Sequence, residues 1–165
     1  MGPMEDTVIL NSQDIVQAQR ATSAVLGVVL AEHDTTSDRW VVLDTLATRA
    51  FPPERARLLP GLAAALATGP AAVEAVLDNA QAAGLVRIVS APGGDAGAVR
   101  IGLTAAGEAQ HGTLKSVIDL VAAELCAGIP ERDLAIAHHV LAEVTRRADG
   151  WMLLWSATRP TEPTR

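Results

Sequence analysis

The chain has 165 residues, a formal net charge of −6, 49% hydrophobic and 2% aromatic residues, and a single cysteine, Cys126. One domain able to bury its own core is the expectation at this length, and a lone cysteine excludes an internal disulfide framework and points to a reducing, cytoplasmic setting. No apolar run reaches the ~18 residues of a membrane span and no basic-then-apolar leader opens the chain, so no membrane partner is expected.

The basic side is lopsided, with twelve arginines and one lysine, Lys115. Alanine makes up roughly a fifth of the residues, well above ordinary usage. Met1-Gly2-Pro3 before Met4 reads as an expression scar, and residues 1–13 as a tail. Asn11 or Ser12 caps a helix that starts near Asp14 and runs to about Glu32, with Ile15, Thr22, Val25, Leu26 and Val29 on one face. His33 to Ser37 forms a polar turn. Ser37 then caps a second helix carrying Trp40, Leu43, Leu46 and Ala47, which Pro52-Pro53 ends.

Residues 54–61 read as a loop punctuated by Pro60-Gly61, before a short helix from Leu62 to Leu66. Pro70 suits a first helical position, Val73, Val76 and Leu77 make the buried face, and Gly84 is a left-handed stop. There the period changes. Leu85–Val89 and Ala98–Leu103 read as strands of a β-hairpin around Pro92-Gly93-Gly94-Asp95. Thr104 caps a long helix to about Ala127, which Gly128 ends. Pro130 opens a last helix to about Asp149, with Ile136, Val140 and Val144 in one stripe, and a Trp-containing extension occupies 150–165.

The fold class is therefore mainly α with a small two-stranded β-wing. Trp40-Val41-Val42-Leu43 with Leu46-Ala47, Leu62-Ala63-x-x-Leu66, Ala83-Gly84-Leu85-Val86 and Leu103-Thr104-x-x-Gly107 carry a resemblance to the MarR (multiple antibiotic resistance regulator) family. It covers about residues 14–149 as a single domain. The resemblance implies dimerisation helices over 14–34 and 104–149, a winged helix-turn-helix over 37–103, a homodimer, and a small-ligand site between the two parts.

The residues that should read DNA depart from that pattern. In the resemblance Pro70 to Gln81 is the recognition helix, which normally offers hydroxyls, amides or arginines to the duplex. Gly69, Ala71, Ala72, Glu74, Ala75 and Asn79 stand where the family usually carries Ser, Thr or Arg. Glu74 and Asp78 would face phosphates with the wrong sign. Asn79 and Gln81 keep base-reading chemistry, and Gly97 takes the place of the wing arginine two residues after Asp95. Over 62–104, Arg87 and Arg100 stand against Glu74, Asp78 and Asp95, a net −1 where phosphate neutralisation should supply affinity. Arg49, Arg55 and Arg57 remain as weak contacts.

On this reading the sequence favours a MarR-like homodimer with weak or absent DNA binding, repurposed to bind or convert a small aromatic or polyketide-like molecule. If it is an enzyme, it is a cofactor-independent acid/base cyclase, isomerase, dehydratase or hydrolase of secondary metabolism, since no cofactor motif is visible. The alternative is a ligand-responsive MarR-type regulator that binds promoter DNA through Asn79, Gln81, Arg87 and Arg100. A third reading is an interaction protein using the Trp151–Trp155 segment.

His111 and His33 are the candidate bases, with Asp34, Asp38 or Asp44 orienting them. The plainer account of His33 to Asp38 is a capped turn with a histidine at a helix C-terminus. Arg20, Trp40, Asp44, Lys115, Trp151 and Trp155 are the ligand-binding candidates. Lys115, four residues after His111, shares its helix face; the plainer account is a pair of solvated surface residues. His138-His139 point about 100° apart on a helix and lack a third ligand, so no metal site is expected.

Overall fold

The computed structural model describes residues 9–90 and 99–158. Six helices and one hairpin follow in the order α1 Ser12–Glu32, α2 Ser37–Ala47, α3 Arg55–Ala65, α4 Pro70–Ala82, β1 Val86–Ser90, β2 Val99–Leu103, α5 Ala105–Leu125 and α6 Glu131–Thr158. The chain divides into two compact units, residues 1–120 and 121–165.

In the first unit, α1 starts with a capping box. The Asn11 side chain accepts from the amides of Gln13 and Asp14, and Asp14 accepts in return from the Asn11 amide at 3.0 Å. Thr36, one residue before the expected Ser37, caps α2 by accepting from the Arg39 amide at 3.2 Å. The largest correction lies in α3. Residues 55–61, expected to be a loop, are its first two turns, and Pro60 sits inside the helix. An interior proline costs about 3 kcal/mol through its missing N–H and its ring. Leu58 and Leu62 flank it four residues apart and are both fully buried, each contributing about 1.5–3 kcal/mol, enough to override the breaker.

Pro70 opens α4 at its first position, as its spacing requires, and Gly84 follows the helix with φ +72°. The strands pair antiparallel, Val86 opposite Leu103 through Ser90 opposite Val99. The expected hairpin turn at 92–95, with the altered wing position Gly97, lies outside the described residues. Thr104 fastens the hairpin to α5: its hydroxyl donates to the Gly84 carbonyl at 2.6 Å and accepts from the Gly107 amide at 3.0 Å. Gly107 is buried so close to the Leu85 carbonyl that a Cβ there would collide with it.

One core joins these elements. Leu30 from α1, Val42, Leu43 and Leu46 from α2, Leu58 and Leu62 from α3, Val73, Leu77 and Ala80 from α4, Leu85, Val86, Ile101 and Leu103 around the hairpin, and Leu114 from α5 form it. The hairpin is also tied back to the α2–α3 connection. Arg100 donates to the Pro52 carbonyl at 3.0 Å and to Glu54 at 3.3 Å, and the Ile101 amide donates to the Pro53 carbonyl at 3.0 Å.

The second unit contains the end of α5, a turn with Gly128 at φ +79°, and α6. The expected stop near Asp149 is not there. α6 runs through Gly150 to Thr158, so the Trp151–Trp155 segment continues the helix. An interior glycine weakens a helix by only about 1 kcal/mol, less than a 28-residue helix needs to be interrupted. No single helix among the described residues is long and apolar enough to cross a membrane.

Candidate ligand cleft and DNA-facing helix

A cleft of about 420 Å³ opens in the first unit at the end of α2, walled by the hairpin and α5. Leu46, Ala47, Pro52 and Leu103 supply apolar wall, and Arg49, Arg87, Glu108 and His111 supply its ionisable groups. The Arg49 guanidinium has no hydrogen-bond or ion-pair partner among the described residues. Arg87 donates through Nε to the Leu103 carbonyl at 3.0 Å, which holds its guanidinium along the strand without neutralising it.

His111 is held from behind. Its Nε2 lies 3.1 Å from Asp44 Oδ1, and its ring stacks on Trp40 with centroids 5.2 Å apart and planes within 6°. Trp40 and Asp44 are four residues apart on α2, so one helix face presents both to α5. The carboxylate selects the tautomer with the proton on Nε2, the indole fixes the ring plane, and Nδ1 is left as the ring's other nitrogen. One residue earlier on α5, Gln110 donates to the Thr35 hydroxyl at 2.8 Å, a second tie, between α5 and the turn before α2.

Of the sequence-derived candidates, His111, Asp44 and Trp40 therefore come together, and His111 lines the cleft. The others do not join them. His33 is half-buried as the C-terminal cap of α1 and makes no hydrogen bond or ion pair with a carboxylate among the described residues. Asp34 is exposed at φ +52°, a conformation that aspartate tolerates better than most residues, and its carbonyl accepts from Arg39 at 3.1 Å. Asp38 is exposed in the first turn of α2. The expected His/carboxylate group at this junction is a turn, in which no hydrogen bond joins these three side chains among the described residues.

Lys115 pairs with Asp119 one turn on at 2.5 Å, not with the His111 neighbourhood. Arg20 is exposed on α1. Trp151 and Trp155, in the second unit, stack on each other with centroids 5.0 Å apart. His138 and His139 are both exposed, and among the described residues no cluster of three metal-ligating side chains occurs. Sequence reasoning passed over Glu108. It stands three residues before His111, so helical spacing alone could have placed it on the same wall.

On α4, Ala71, Ala72, Ala75, Asp78, Asn79 and Gln81 are exposed while Val73, Leu77 and Ala80 are buried. Two expectations for this face need correction. Glu74 is paired with Arg55 at the start of α3, so it is not a free anion facing a duplex, and Arg55 is not a free cation. Arg100 is bound to Pro52 and Glu54, because the α2–α3 connection packs against β2 and offers it acceptors. Arg87 reaches the cleft. Asn79 and Gln81 are exposed.

Three helices and a strand pair, with α4 carrying an exposed outer face, make a winged helix-turn-helix. Solved structures carry the assignment further. The chain is similar to transcriptional regulator PA3341 (24% identity, TM-score 0.71, 84% of this chain and 97% of that one). It is also similar to a MarR-family transcriptional regulator from Rhodococcus sp. RHA1 (18%, TM-score 0.67, 83% and 97%) and to NadR in complex with 4-hydroxyphenylacetate (20%, TM-score 0.66, 87% and 97%). The fold is that of the MarR winged helix regulators. No protein-family model and no curated protein matches the sequence.

Proposed function

We propose that the chain is a ligand-responsive transcriptional regulator of MarR type, with the cleft as its effector site and α4 as its DNA-reading helix. The observation that carries this is the composition of the cleft wall. Arg49 and Ala50 follow α2, Pro52 precedes the helix-turn-helix, and Arg87 and Gly102 belong to the hairpin. A small molecule bound there touches the parts whose spacing a winged helix must set to fit a duplex. Regulators of the same fold, one of them holding a small aromatic acid, support this over the enzyme reading that the DNA-facing residues favoured. Apolar side chains exposed on α1 (Val16, Val28) and on α6 (Ile136, Leu141, Val144) support assembly as a homodimer.

The DNA affinity of such a protein is modest. α4 carries no arginine or lysine, and Arg55 and Arg100 are engaged within the protein. Specificity then rests on Asn79 and Gln81, which suit adenine edges. Selection from a random duplex pool at low salt, followed by fluorescence anisotropy, tests the proposal. Enrichment of one sequence, with binding lost in Asn79→Ala, is expected; equal binding of every duplex, or of none, overturns it.

A second reading, acid/base catalysis without a cofactor, draws on the fixed His111–Asp44–Trp40 group. It requires a molecule that disappears in the presence of the wild-type protein and survives with His111→Ala.

A further inference from the structure

We propose that Glu74 closes part of the DNA surface by standing in for a phosphate: its carboxylate holds the Arg55 guanidinium, so the backbone contact that Arg55 would make is withheld from the duplex. This rests on reading α4 as the DNA-reading helix and says how its affinity is held down. In a helix-turn-helix the first helix crosses the sugar–phosphate backbone while the second enters the groove. Arg55 is the first residue of α3, the helix before the reading helix, and α4 itself carries no arginine or lysine. Arg55 is thus a cation at the edge of that surface, and Glu74 takes it from the second turn of α4. Arginine reads carboxylates and phosphates with the same planar fork, so one anion can replace the other.

The pair is built to stay closed. Both side chains are largely covered, with 29% of Arg55 and 34% of Glu74 exposed, and Glu74 Oε2, the oxygen that faces Arg55, is closed to solvent. A duplex that took Arg55 would leave this carboxylate unpaired beside an incoming phosphate. Asp78, exposed one turn on in α4, adds the same sign. Arg57 makes the contrast. Its contact with Glu54 at 3.4 Å leaves it 84% exposed, and an exposed pair of that kind is weak enough for DNA to open. Ala71 and Ala75, exposed before and after Glu74 in the helix, offer the duplex no side-chain donor in place of Arg55.

Fluorescence anisotropy on the whole protein, with a duplex selected from a random pool and a scrambled one, tests this over a series of salt concentrations. Glu74→Ala should bind both duplexes roughly tenfold more tightly at low salt, through one added charge-assisted contact. It should also steepen the slope of log K against log salt by about 0.9, the counterion release of one phosphate. Both duplexes should gain alike, because a backbone contact carries no sequence information. Arg55→Ala should leave the slope unchanged in the wild-type background and lower it by about 0.9 in the Glu74→Ala background. Two independent charges would instead give Arg55→Ala the same effect in both backgrounds. That result, or an unchanged slope in Glu74→Ala, overturns the proposal. Glu74→Gln, which keeps the shape of the side chain and loses its charge, should steepen the slope as well, and thermal unfolding of each variant separates an opened pair from a disturbed fold. If the wild type binds no duplex and Glu74→Ala binds all alike, the regulator reading fails and the role of the pair stands; binding by neither overturns both.

Discussion

At the scale of single residues, small atoms decide more than large ones. Gly107 lies against the Leu85 carbonyl, whereas Gly112, five residues on in the same helix, has nothing within 4 Å of its added Cβ. Gly107→Ala should therefore lower stability by at least ~2 kcal/mol through steric conflict. Gly112→Ala should raise it by about 0.5–1 kcal/mol by restricting the unfolded chain. Urea unfolding followed by circular dichroism separates the two. At His111, long-range ¹H–¹⁵N correlation should show a single tautomer protonated at Nε2. Asp44→Ala should convert it to a mixture, because the carboxylate 3.1 Å away sets the tautomer. That His111 could pair with an aspartate near the α1–α2 region was legible in the sequence. Which acid served it was not, since Asp34, Asp38 and Asp44 are equivalent by composition and only the packing of α2 on α5 chooses Asp44.

At the scale of elements, helix starts were the most legible. Asn11, Pro70 and Thr104 each occupy the cap or first-turn position that their chemistry suits, because capping is a local interaction that neighbouring residues decide. Pro60 and Gly150 misled for the complementary reason. Both are breakers by local propensity, and both lie inside helices, Pro60 in one with fully buried leucines on either side of it. The exposed face of α6 also carries a local ion cluster. Arg146 and Arg147 hold the Glu143 carboxyl down at about 2, well below the ordinary carboxylate value of 4.5. A carboxyl with a lowered value gives its full support above the ordinary value of 4.5 and loses it progressively as pH falls from there through about 2. Carboxyl-carbon NMR should find the Glu143 midpoint near 2. The double variant Arg146→Gln/Arg147→Gln should move that midpoint up towards the ordinary range, and an unchanged midpoint would show that the pairs do not form in solution.

For the whole molecule, the fold was legible because its order of elements is carried by apolar spacing and turn residues, and both depend mainly on near neighbours. The cleft was less so. Arg49 and Arg87 are far apart in sequence and read as DNA contacts in isolation, and only the closure of the hairpin on the α2–α3 connection brings them to one wall. The charge deficit of α4 is local: Glu74 is paired with Arg55, leaving Asp78 exposed beside Asn79 and Gln81. With so few free cations, the salt dependence of duplex binding should be shallow. A slope of log K against log salt of about −2 to −4 follows from the roughly 0.9 per neutralised phosphate, and a slope near −8 would require cations that this surface lacks.

The central claim is the proposed role of α4 in reading DNA, and one titration addresses it. Anisotropy of a fluorescent duplex selected by the protein, read at low salt, should rise to a plateau as wild-type protein is added and stay at that of free DNA with Asn79→Ala. Equal binding of the duplex by both, or by neither, would contradict the account.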